Sequence, residues 1–226
     1  MSFCQKIVDL ISQNLDEITS LKATKMEKAD GSFVSKGDLL VQELVFQYCN
    51  ENLPKHQLIS EEFAPFDNTE WDESASFVVL DPIDGTENFV SGLREWGVGI
   101  SIYTNGVHQE SCIYLPELRE VAITGQPLER FSSRIHGLSS SLSKQDLEKL
   151  PEGFEYRIIG CSMYNMLSAV KGSYARFENV KGVNCWDVLP GLNLALEHNV
   201  KAFVDGVPYQ GQILFPIKKY KILLEA

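Results

Sequence analysis

A buried strand that leads directly into two closely spaced aspartates is the feature that most constrains this chain. Residues 77–80 are four consecutive apolar residues, which predicts a strand covered on both faces. Asp81 follows, and Pro82 is expected to end the strand because it has no N–H for a ladder hydrogen bond. Asp84-Gly85 is a turn pair, in which glycine can adopt backbone angles that other residues resist. The pattern predicts two carboxylates at a strand end, beside backbone amides and the hydroxyl of Thr86.

The charge balance limits what this chain can bind. It has 20 Lys and Arg residues against 31 Asp and Glu residues, a net charge of −11. Such a field repels nucleic acid, so no nucleic-acid polymer is expected as a partner. It also repels phosphate. If the protein handles a phosphorylated metabolite, bound divalent cations are the expected source of local positive charge.

The cysteines and the hydropathy of the sequence predict reduced thiols and no membrane-spanning segment. The five cysteines are scattered and include no Cys-x-x-Cys pair, which argues against a disulfide framework or a zinc site. No run of about 18 apolar residues exists, so no membrane span is expected. The first residues lack the apolar core and cleavage site of a signal peptide, and a cytoplasmic location is predicted.

Helical and strand patterns alternate along the chain, which predicts a layered α/β fold. Helices are predicted at residues 3–23, 38–51 (with Ser35 as N-cap), 144–150, 162–170 and 186–198. Strands are predicted at residues 57–60, 77–80, 97–103, 107–114, 121–124, 156–159, 174–177, 201–204, 212–215 and 221–224. Residues 25–35 and 65–73 are predicted loops. The serine-rich residues 137–144 are the predicted linker. A domain division is predicted between residues 125 and 144, giving an N-terminal part, 1–130, and a C-terminal part, 131–226.

Four acidic positions stand at the ends of predicted elements: Glu61, Asp81, Asp84 and Asp187. Magnesium prefers hard oxygen ligands, and two or more ions can share the charge of a phosphoryl-transfer site. The alternative is that these acids are ordinary solvated loop residues at the ends of strands. That is the preferred interpretation for Glu62, Asp67, Asp72 and Glu73, and also for Glu61 taken alone. For Asp81 and Asp84 both alternatives stay open from the residues alone.

Other acidic and phosphate-handling motifs are excluded by spacing. An EF-hand needs ligands at alternate positions before its glycine, whereas Asp81 and Asp84 are three apart. No Asp-x-Asp pair exists for an aspartyl-phosphate mechanism, and no cysteine has the arginine six positions later that cysteine phosphatases need. No Gly-x-x-x-x-Gly-Lys loop is present either. A covalent intermediate is therefore not supported.

Four motifs in order resemble the inositol monophosphatase superfamily, the lithium-sensitive, magnesium-dependent phosphomonoesterases. They are Lys-Ala-Asp-Gly-Ser-Phe-Val-Ser-Lys-Gly-Asp at 28–38, Ser-Glu-Glu at 60–62, Asp-Pro-Ile-Asp-Gly-Thr-Glu-Asn-Phe at 81–89 and Trp-Asp-Val-Leu-Pro-Gly at 186–191. The resemblance implies mixed sheets between helix layers, with most metal ligands in the N-terminal part. The C-terminal part would supply Asp187 and a substrate wall.

The resemblance also implies a role for each site residue. The ligands of two or three Mg²⁺ ions would be Glu61, Asp81, the Ile83 carbonyl, Asp84 and Asp187. The catalytic residues would be Thr86, oriented by Asp38 to activate the attacking water, and Glu61, with Glu62 in support. The substrate-binding residues would be Gly85, Thr86, Gly160, Ser162 and Glu178. The implied reaction is in-line attack of a metal-activated water on a small phosphate ester, inhibited by lithium.

Departures from the family pattern leave the substrate open. Residues 121–157 form a shorter segment without the usual glycine-rich hairpin, which bears on the substrate wall and on a possible homodimer contact. Pro190 is tolerable only in a helix's first turn. Inositol monophosphate-like esters are favoured because no basic cluster is evident. Alternatives are a 3′(2′),5′-bisphosphate nucleotide, fructose 1,6-bisphosphate, histidinol phosphate, or a non-catalytic metal- or phosphometabolite-binding role.

Cys161 and Lys28 lie near these motifs, and neither is predicted to take part in the chemistry. Cys161 has no His or Lys partner nearby in sequence, so a packed thiol is expected. Lys28 is expected to be solvated, with contact to phosphate as the alternative.

Overall fold

The structure is a computed structural model that describes residues 2–28, 31–63 and 71–226. Residues 29–30 of the first motif, and Asp67 with most of the predicted loop at 65–73, lie outside the described residues. The helices are α1 Phe3–Gln13, α2 Leu15–Ser20, α3 Lys36–Asn52, α4 Thr86–Val90, α5 Lys144–Leu147, α6 Ser162–Val170 and α7 Leu189–Glu197. The strands are β1 Met26–Glu27, β2 Phe33–Val34, β3 Gln57–Ser60, β4 Phe77–Asp84, β5 Gly97–Thr104, β6 Val107–Leu115, β7 Glu120–Ile123, β8 Ile135–Leu138, β9 Glu155–Ile158, β10 Arg176–Val183, β11 Lys201–Val204, β12 Val207–Pro208 and β13 Tyr220–Glu225.

Two mixed sheets confirm the predicted layered α/β fold. The five-stranded sheet has the order β3-β4-β5-β6-β7, with β3 parallel to β4 and the other pairs antiparallel. The six-stranded sheet has the order β12-β11-β13-β10-β8-β9, with β8 parallel to both of its neighbours. Helices α6 and α7 pack between the two sheets, and α1 and α3 pack on the other face of the five-stranded sheet.

Strand β4 is buried along its whole length, which confirms the interpretation of residues 77–80. Phe77 and Val79 belong to the core that surrounds α6 and α7. Val78 and Leu80 belong to the core under α1 and α3. The strand therefore separates the two hydrophobic cores, and its side chains alternate between them as strand geometry requires.

Pro82 does not end the strand, so that prediction is wrong. β4 continues to Asp84 through a bulge, because Asp81 pairs with Gly99 whereas Asp84 pairs with Gly97, one residue fewer on the β5 side. Proline is tolerated there because a bulge residue owes no ladder hydrogen bond. The bulge also changes the alternation of side chains between the two faces of β4. Ile83 joins the same core as Val78 and Leu80.

The bulge decides where the two aspartates point. In a regular strand, Asp84 would lie on the face of Val78 and Leu80, opposite to Asp81. With Ile83 on that face instead, Asp84 turns to the other side, toward α6, where it contacts Met163. Both aspartates therefore face the helices that lie between the sheets.

Several predicted helices, strands and loops differ from the structure, among them the loop at 25–35, which contains β1 and β2. The predicted first helix is divided at Asn14 into α1 and α2. The predicted strand at 212–215 does not form; Ile213 and Leu214 are buried in the core as irregular backbone. The predicted helix at 186–198 begins only at Leu189, with Pro190 in its first turn as the sequence requires.

The predicted linker at 137–144 is wrong in its first part, because Gly137 and Leu138 lie in β8 between β9 and β10. Strands of the five-stranded sheet come from residues 57–123 and those of the six-stranded sheet from residues 135–225. A division near residue 130 remains a proposal. Among the described residues, no helix is long and apolar enough to cross a membrane.

The start of α3 is fixed by a capping box and by a close helix contact. Ser35 is the N-cap, and its amide and hydroxyl donate to Asp38 Oδ2 at 2.8 and 2.6 Å. Gly37 lies against the fully buried ring of Phe89 in α4, and a Cβ at position 37 would come within 2.8 Å of that ring. This glycine lets α3 approach α4.

Replacement of Gly37 by alanine tests this packing. In an exposed helix the change adds up to about 1 kcal/mol of stability, but here we expect a loss of about 1–3 kcal/mol, because a buried ring must move. Urea denaturation measures it. Lys36→Ala, one position away and exposed, is the control and should change stability by less than about 0.5 kcal/mol. A stabilised Gly37→Ala protein would contradict the packing argument.

Candidate metal centre

Three carboxylates from separate parts of the chain converge. Glu61, Asp81 and Asp187 each offer an oxygen, and these oxygens lie within 4.8 Å of one another. Glu61 follows β3, and Asp81 continues β4, whose Leu80 pairs with Ser60 in a parallel register. Asp187 lies just before α7. Its Oδ2 accepts a 2.7 Å hydrogen bond from the Asn184 amide, which orients the carboxylate. Sequence positions up to 126 apart thus form one cluster.

Asp81 belongs to this cluster, and no Lys, Arg or His among the described residues forms an ion pair with its carboxylate. Its side chain is fully buried, and neither carboxylate oxygen has a hydrogen-bond donor in the described part of the chain. Burial raises the pKa of Asp81 well above its ordinary value, and the charges of Glu61, Asp84 and Asp187 raise it further. An ionised carboxylate in this setting is costly unless a cation compensates it.

The donor set fits a hard divalent cation. Carboxylate oxygens from three elements are the ligands that Mg²⁺ and Ca²⁺ prefer, whereas no His or Cys belongs to the cluster. The two unpartnered oxygens of Asp81 are what a shared ligand between ions would present. The residues therefore fit a metal site of the predicted kind.

Asp84 lies beside the three acids and accepts its hydrogen bonds from residues at the start of α6. Its Oδ2 accepts hydrogen bonds from the Cys161 thiol at 3.0 Å and from the Met163 amide. Burial raises the pKa of Asp84 to about 6, although these donors and the Ser162 amide act in the opposite direction. Asp84, Ile83, Glu61 and Asp187 line one cavity of about 220 Å³.

Thr86 and Asp38 are in direct contact, as the resemblance implies. The Thr86 hydroxyl lies 3.1 Å from Asp38 Oδ1 and 3.0 Å from the Ile83 carbonyl oxygen, so it can donate to either. The other oxygen of Asp38 is held by the Ser35 capping box. Asp38 therefore caps α3 and orients Thr86 at once. Burial raises its pKa, against the hydrogen bonds from Ser35 and Thr86.

Lys28 and Glu62 are not the solvated residues that the sequence suggested. The Lys28 ammonium lies 3.0 Å from Glu61 Oε1 and 2.6 Å from Glu62 Oε1. The Glu62 side chain is only 7% exposed, and burial raises its pKa to about 7. The sequence offers one indication of this contact, because Lys28 is the first residue of the first motif. Asp72 and Glu73, in contrast, are exposed, as the sequence predicted.

Gly85 connects β4 to α4 in the left-handed conformation, at φ +82°, as predicted. A Cβ at this position would lie 3.0 Å from the Cys161 Cβ and 3.1 Å from the Gly160 carbonyl oxygen. The connection can therefore lie close to the start of α6 only with glycine here. This approach places Gly85, Thr86 and Gly160 around the cavity that the acids line.

A second, smaller cavity of about 130 Å³ shares Asp84 and Gly160 with the first. It is lined mainly by hydroxyl and amide side chains, among them Ser139, Ser162, Asn165 and Asn179. The predicted substrate-binding residues Gly160 and Ser162 thus lie at one site. Asn179 was not predicted, although its alternation with the buried Phe177 would have placed it on this face.

Glu178 is not brought to this site, which corrects the prediction for that residue. It lies on the other face of β10, where it pairs with Arg176 at 3.1 Å. The physical reason is a register irregularity between Asn179 and Val183, where Asn179 Oδ1 accepts hydrogen bonds from the amides of Lys181 and Gly182. The two additional residues before Trp186 are absorbed in this turn.

Solved structures of similar fold support this architecture. A staphylococcal inositol monophosphatase-1, soaked in lithium chloride as an inhibitory complex, superposes with a TM-score of 0.81 at 19% identity, covering 96% of this chain and 86% of that one. An IMPase/NADP phosphatase complexed with Mg²⁺ and phosphate superposes with a TM-score of 0.78 at 20% identity, covering 99% and 92%. At these identities the likeness shows the fold.

Relatives with curated names are similar over shorter stretches. Nus factor SuhB of Escherichia coli K12 is 26% identical over 155 residues, which are 68% of this chain. The chain spans only 55% of that relative's length. Nus factor SuhB of Pasteurella multocida is 27% identical over 210 residues, covering 83% of this chain and 76% of the relative.

A family model spans three of the four motifs and most of the acidic cluster. The model of the inositol monophosphatase family matches residues 1–147, well over half of the chain. The matched range includes Glu61, Asp81 and the bulge of β4, and the structure adds Asp187 from outside it. Fold, motifs and family model agree, and the chain belongs to the inositol monophosphatase family.

Proposed function

We propose that this chain is a Mg²⁺-dependent phosphomonoesterase that hydrolyses a small phosphate ester. The observation that supports this most strongly is the fully buried carboxylate of Asp81, whose two oxygens have no donor among the described residues. Without a cation, a buried and unpaired carboxylate lowers the stability of the fold. With bound cations, the same group would help to form a positively charged pocket in a protein of net charge −11.

The residues proposed to hold two or three cations are Glu61, Asp81, the Ile83 carbonyl, Asp84 and Asp187. Bound there, divalent cations would compensate phosphate charge and lower the pKa of water, the two effects that phosphate-ester hydrolysis most needs. Glu61 is proposed to act as both ligand and catalytic residue. Lys28 holds Glu61 and Glu62 on the outer side of the cluster, which fixes the direction of the Glu61 carboxylate.

Thr86 is proposed to orient the attacking water. When its hydroxyl donates to Asp38, an oxygen lone pair remains to accept a hydrogen bond from water. Asp38 cannot turn away, because the Ser35 capping box holds its second oxygen. The orientation of Thr86 therefore derives from the N-terminus of α3, a rigid element.

The preferred substrate is the phosphate ester of a small neutral polyol, similar to inositol monophosphate. The smaller cavity beside Asp84 is lined by serine and asparagine side chains and by no Lys or Arg among the described residues. A second phosphate, as in a bisphosphate nucleotide or fructose 1,6-bisphosphate, would find no cationic partner there. Histidinol phosphate stays an alternative, and one similar structure is named for both IMPase and NADP phosphatase activity.

A non-catalytic role is the second candidate. The short segment between β7 and β9 and the name of the curated relatives, Nus factor, support it. Phosphate release from inositol 1-phosphate, a 3′,5′-bisphosphate nucleotide, fructose 1,6-bisphosphate and histidinol phosphate separates the two candidates. We expect Mg²⁺-dependent, lithium-inhibited release, fastest from inositol 1-phosphate. No release from any of the four, with or without Mg²⁺, would favour the binding protein.

Substitution of Thr86 tests the orientation of water. Thr86→Val should reduce kcat by about 100-fold or more, because the acceptor for water is lost, whereas Thr86→Ser should keep most activity. Ser91→Ala removes a hydroxyl at the other end of α4 and serves as the control. Equal kcat values for the valine and wild-type proteins at saturating Mg²⁺ would contradict the role of Thr86.

Substitution of Asp81 tests the electrostatic argument through stability. A carboxylate whose pKa is raised by folding favours the native state only at low pH, so the metal-free protein should lose stability as pH rises above about 4. At pH 7.5, Asp81→Asn should be about 1–3 kcal/mol more stable than the wild type without metal. Saturating Mg²⁺ should stabilise the wild type by about 2–3 kcal/mol and the variant much less.

Thermal denaturation with EDTA or with Mg²⁺ measures both effects. Glu73→Gln, at an exposed acid outside the cluster, is the control and should change neither value. A metal-free Asp81→Asn protein that is less stable than the wild type would count against an unpartnered charge at this position.

A further inference from the structure

The thiol of Cys161 joins the start of α6 to the acidic site. Cys161 is the N-cap of α6 and is 2% exposed. Its sulfur accepts a hydrogen bond from the Tyr164 amide at 3.3 Å, and its S–H donates to Asp84 Oδ2 at 3.0 Å. A thiol in this position is therefore more than a packed hydrophobe, because it uses both its acceptor and its donor.

Asp84 accepts two hydrogen bonds at Oδ2 from residues at the start of α6. The donors are the Cys161 thiol and the Met163 amide, and the neighbouring Ser162 amide acts with them to lower the pKa of this carboxylate. Donors on one side fix the plane of a carboxylate and leave the second oxygen for another partner. That partner lies toward the cavity that Asp84 shares with Glu61 and Asp187.

The backbone around the thiol gives it little freedom. Gly85 approaches so closely that a Cβ there would lie 3.0 Å from the Cys161 Cβ. The strand end that carries Asp84 and the N-cap of α6 are thus in van der Waals contact. A change of donor at position 161 must act on Asp84 directly, because neither backbone segment can move away without disrupting this contact.

We propose that Cys161 is a positioning residue, which holds Asp84 Oδ2 on the α6 side so that the other carboxylate oxygen faces the cations. The expected effect on cation affinity depends only on the hydrogen bond from Cys161 to Asp84. The expected effect on turnover also rests on the proposed phosphatase function. Cys161 touches neither substrate nor cation in this assignment. It acts through Asp84.

Calorimetric titration of metal-free protein with Mg²⁺ and with Mn²⁺ tests the assignment. Cys161→Ala removes the donor and should weaken cation binding about tenfold or more, the usual effect of losing a hydrogen bond to a charged group. Cys161→Ser keeps a donor and a good N-cap, and should stay within about threefold of the wild type. Cys49→Ala, at a buried cysteine of α3 that belongs to the core under α1 and α3, is the matched control.

Kinetics give a second readout that loss of packing would not produce. Cys161→Ala should raise the Mg²⁺ concentration for half-maximal activity about tenfold, with kcat at saturating Mg²⁺ within about threefold of the wild type. In an Asp84→Asn background, Cys161→Ala should have no further effect on cation binding, because the two residues act as a pair. Measurements well below the melting temperature keep the lost N-cap of the alanine protein from affecting the result.

Several outcomes would overturn the assignment. These are unchanged affinity in Cys161→Ala, equal weakening in the serine and alanine proteins, or an undiminished effect in the Asp84→Asn background. Cation binding that depends on Cys161 in a protein that releases no phosphate from any ester would leave the assignment standing and refute the phosphatase proposal. A wild-type protein that binds neither cation would refute both.

Discussion

The buried strand β4 carries one more residue than its partner β5 between Asp81 and Asp84. β4 contains three steps from Asp81 to Asp84 where its partner β5 contains two, and this bulge turns Asp84 to the same face as Asp81. Without it, one aspartate would point into the apolar core under α1 and α3. Proline at position 82 suits the bulge, since it removes a ladder donor that has no partner there. The neighbouring elements then add their own residues to an arrangement that β4 has set.

Those additions follow from ordinary secondary-structure contacts. The parallel pairing of β3 with β4 places Glu61 beside Asp81. The turn before α7 supplies Asp187, and the N-terminus of α3 supplies Asp38 within 3.1 Å of Thr86. The electrostatic result is unfavourable by itself: burial and mutual repulsion raise the pKa values of Asp81, Asp84 and Asp187 together. Cations reverse the sign of that term, so stability and the proposed chemistry are coupled through the same ions.

Sequence reasoning succeeded where local pattern decides the structure. The buried strand at 77–80, the neighbouring strands at 97–103 and 107–114 and the Ser35 cap are all local signals, and the structure has each of them. It failed where tertiary packing decides. The sequence shows Pro82 as a strand breaker, because only the pairing with β5 reveals a bulge. Glu178 was assigned by its place near a motif, but the turn capped by Asn179 changes which side chain faces the cavity. Lys28 and Glu62 meet across 34 positions, which no local pattern indicates.

Diffraction from crystals equilibrated with Mn²⁺ can show whether these acids converge to bind cations. Mn²⁺ takes the hard oxygen ligands that Mg²⁺ takes and scatters anomalously. We predict an anomalous peak within about 2.5 Å of an oxygen from each of Glu61, Asp81 and Asp187. An ordered site that shows no peak there at saturating Mn²⁺, with Asp187 turned away from Asp81, would contradict the account.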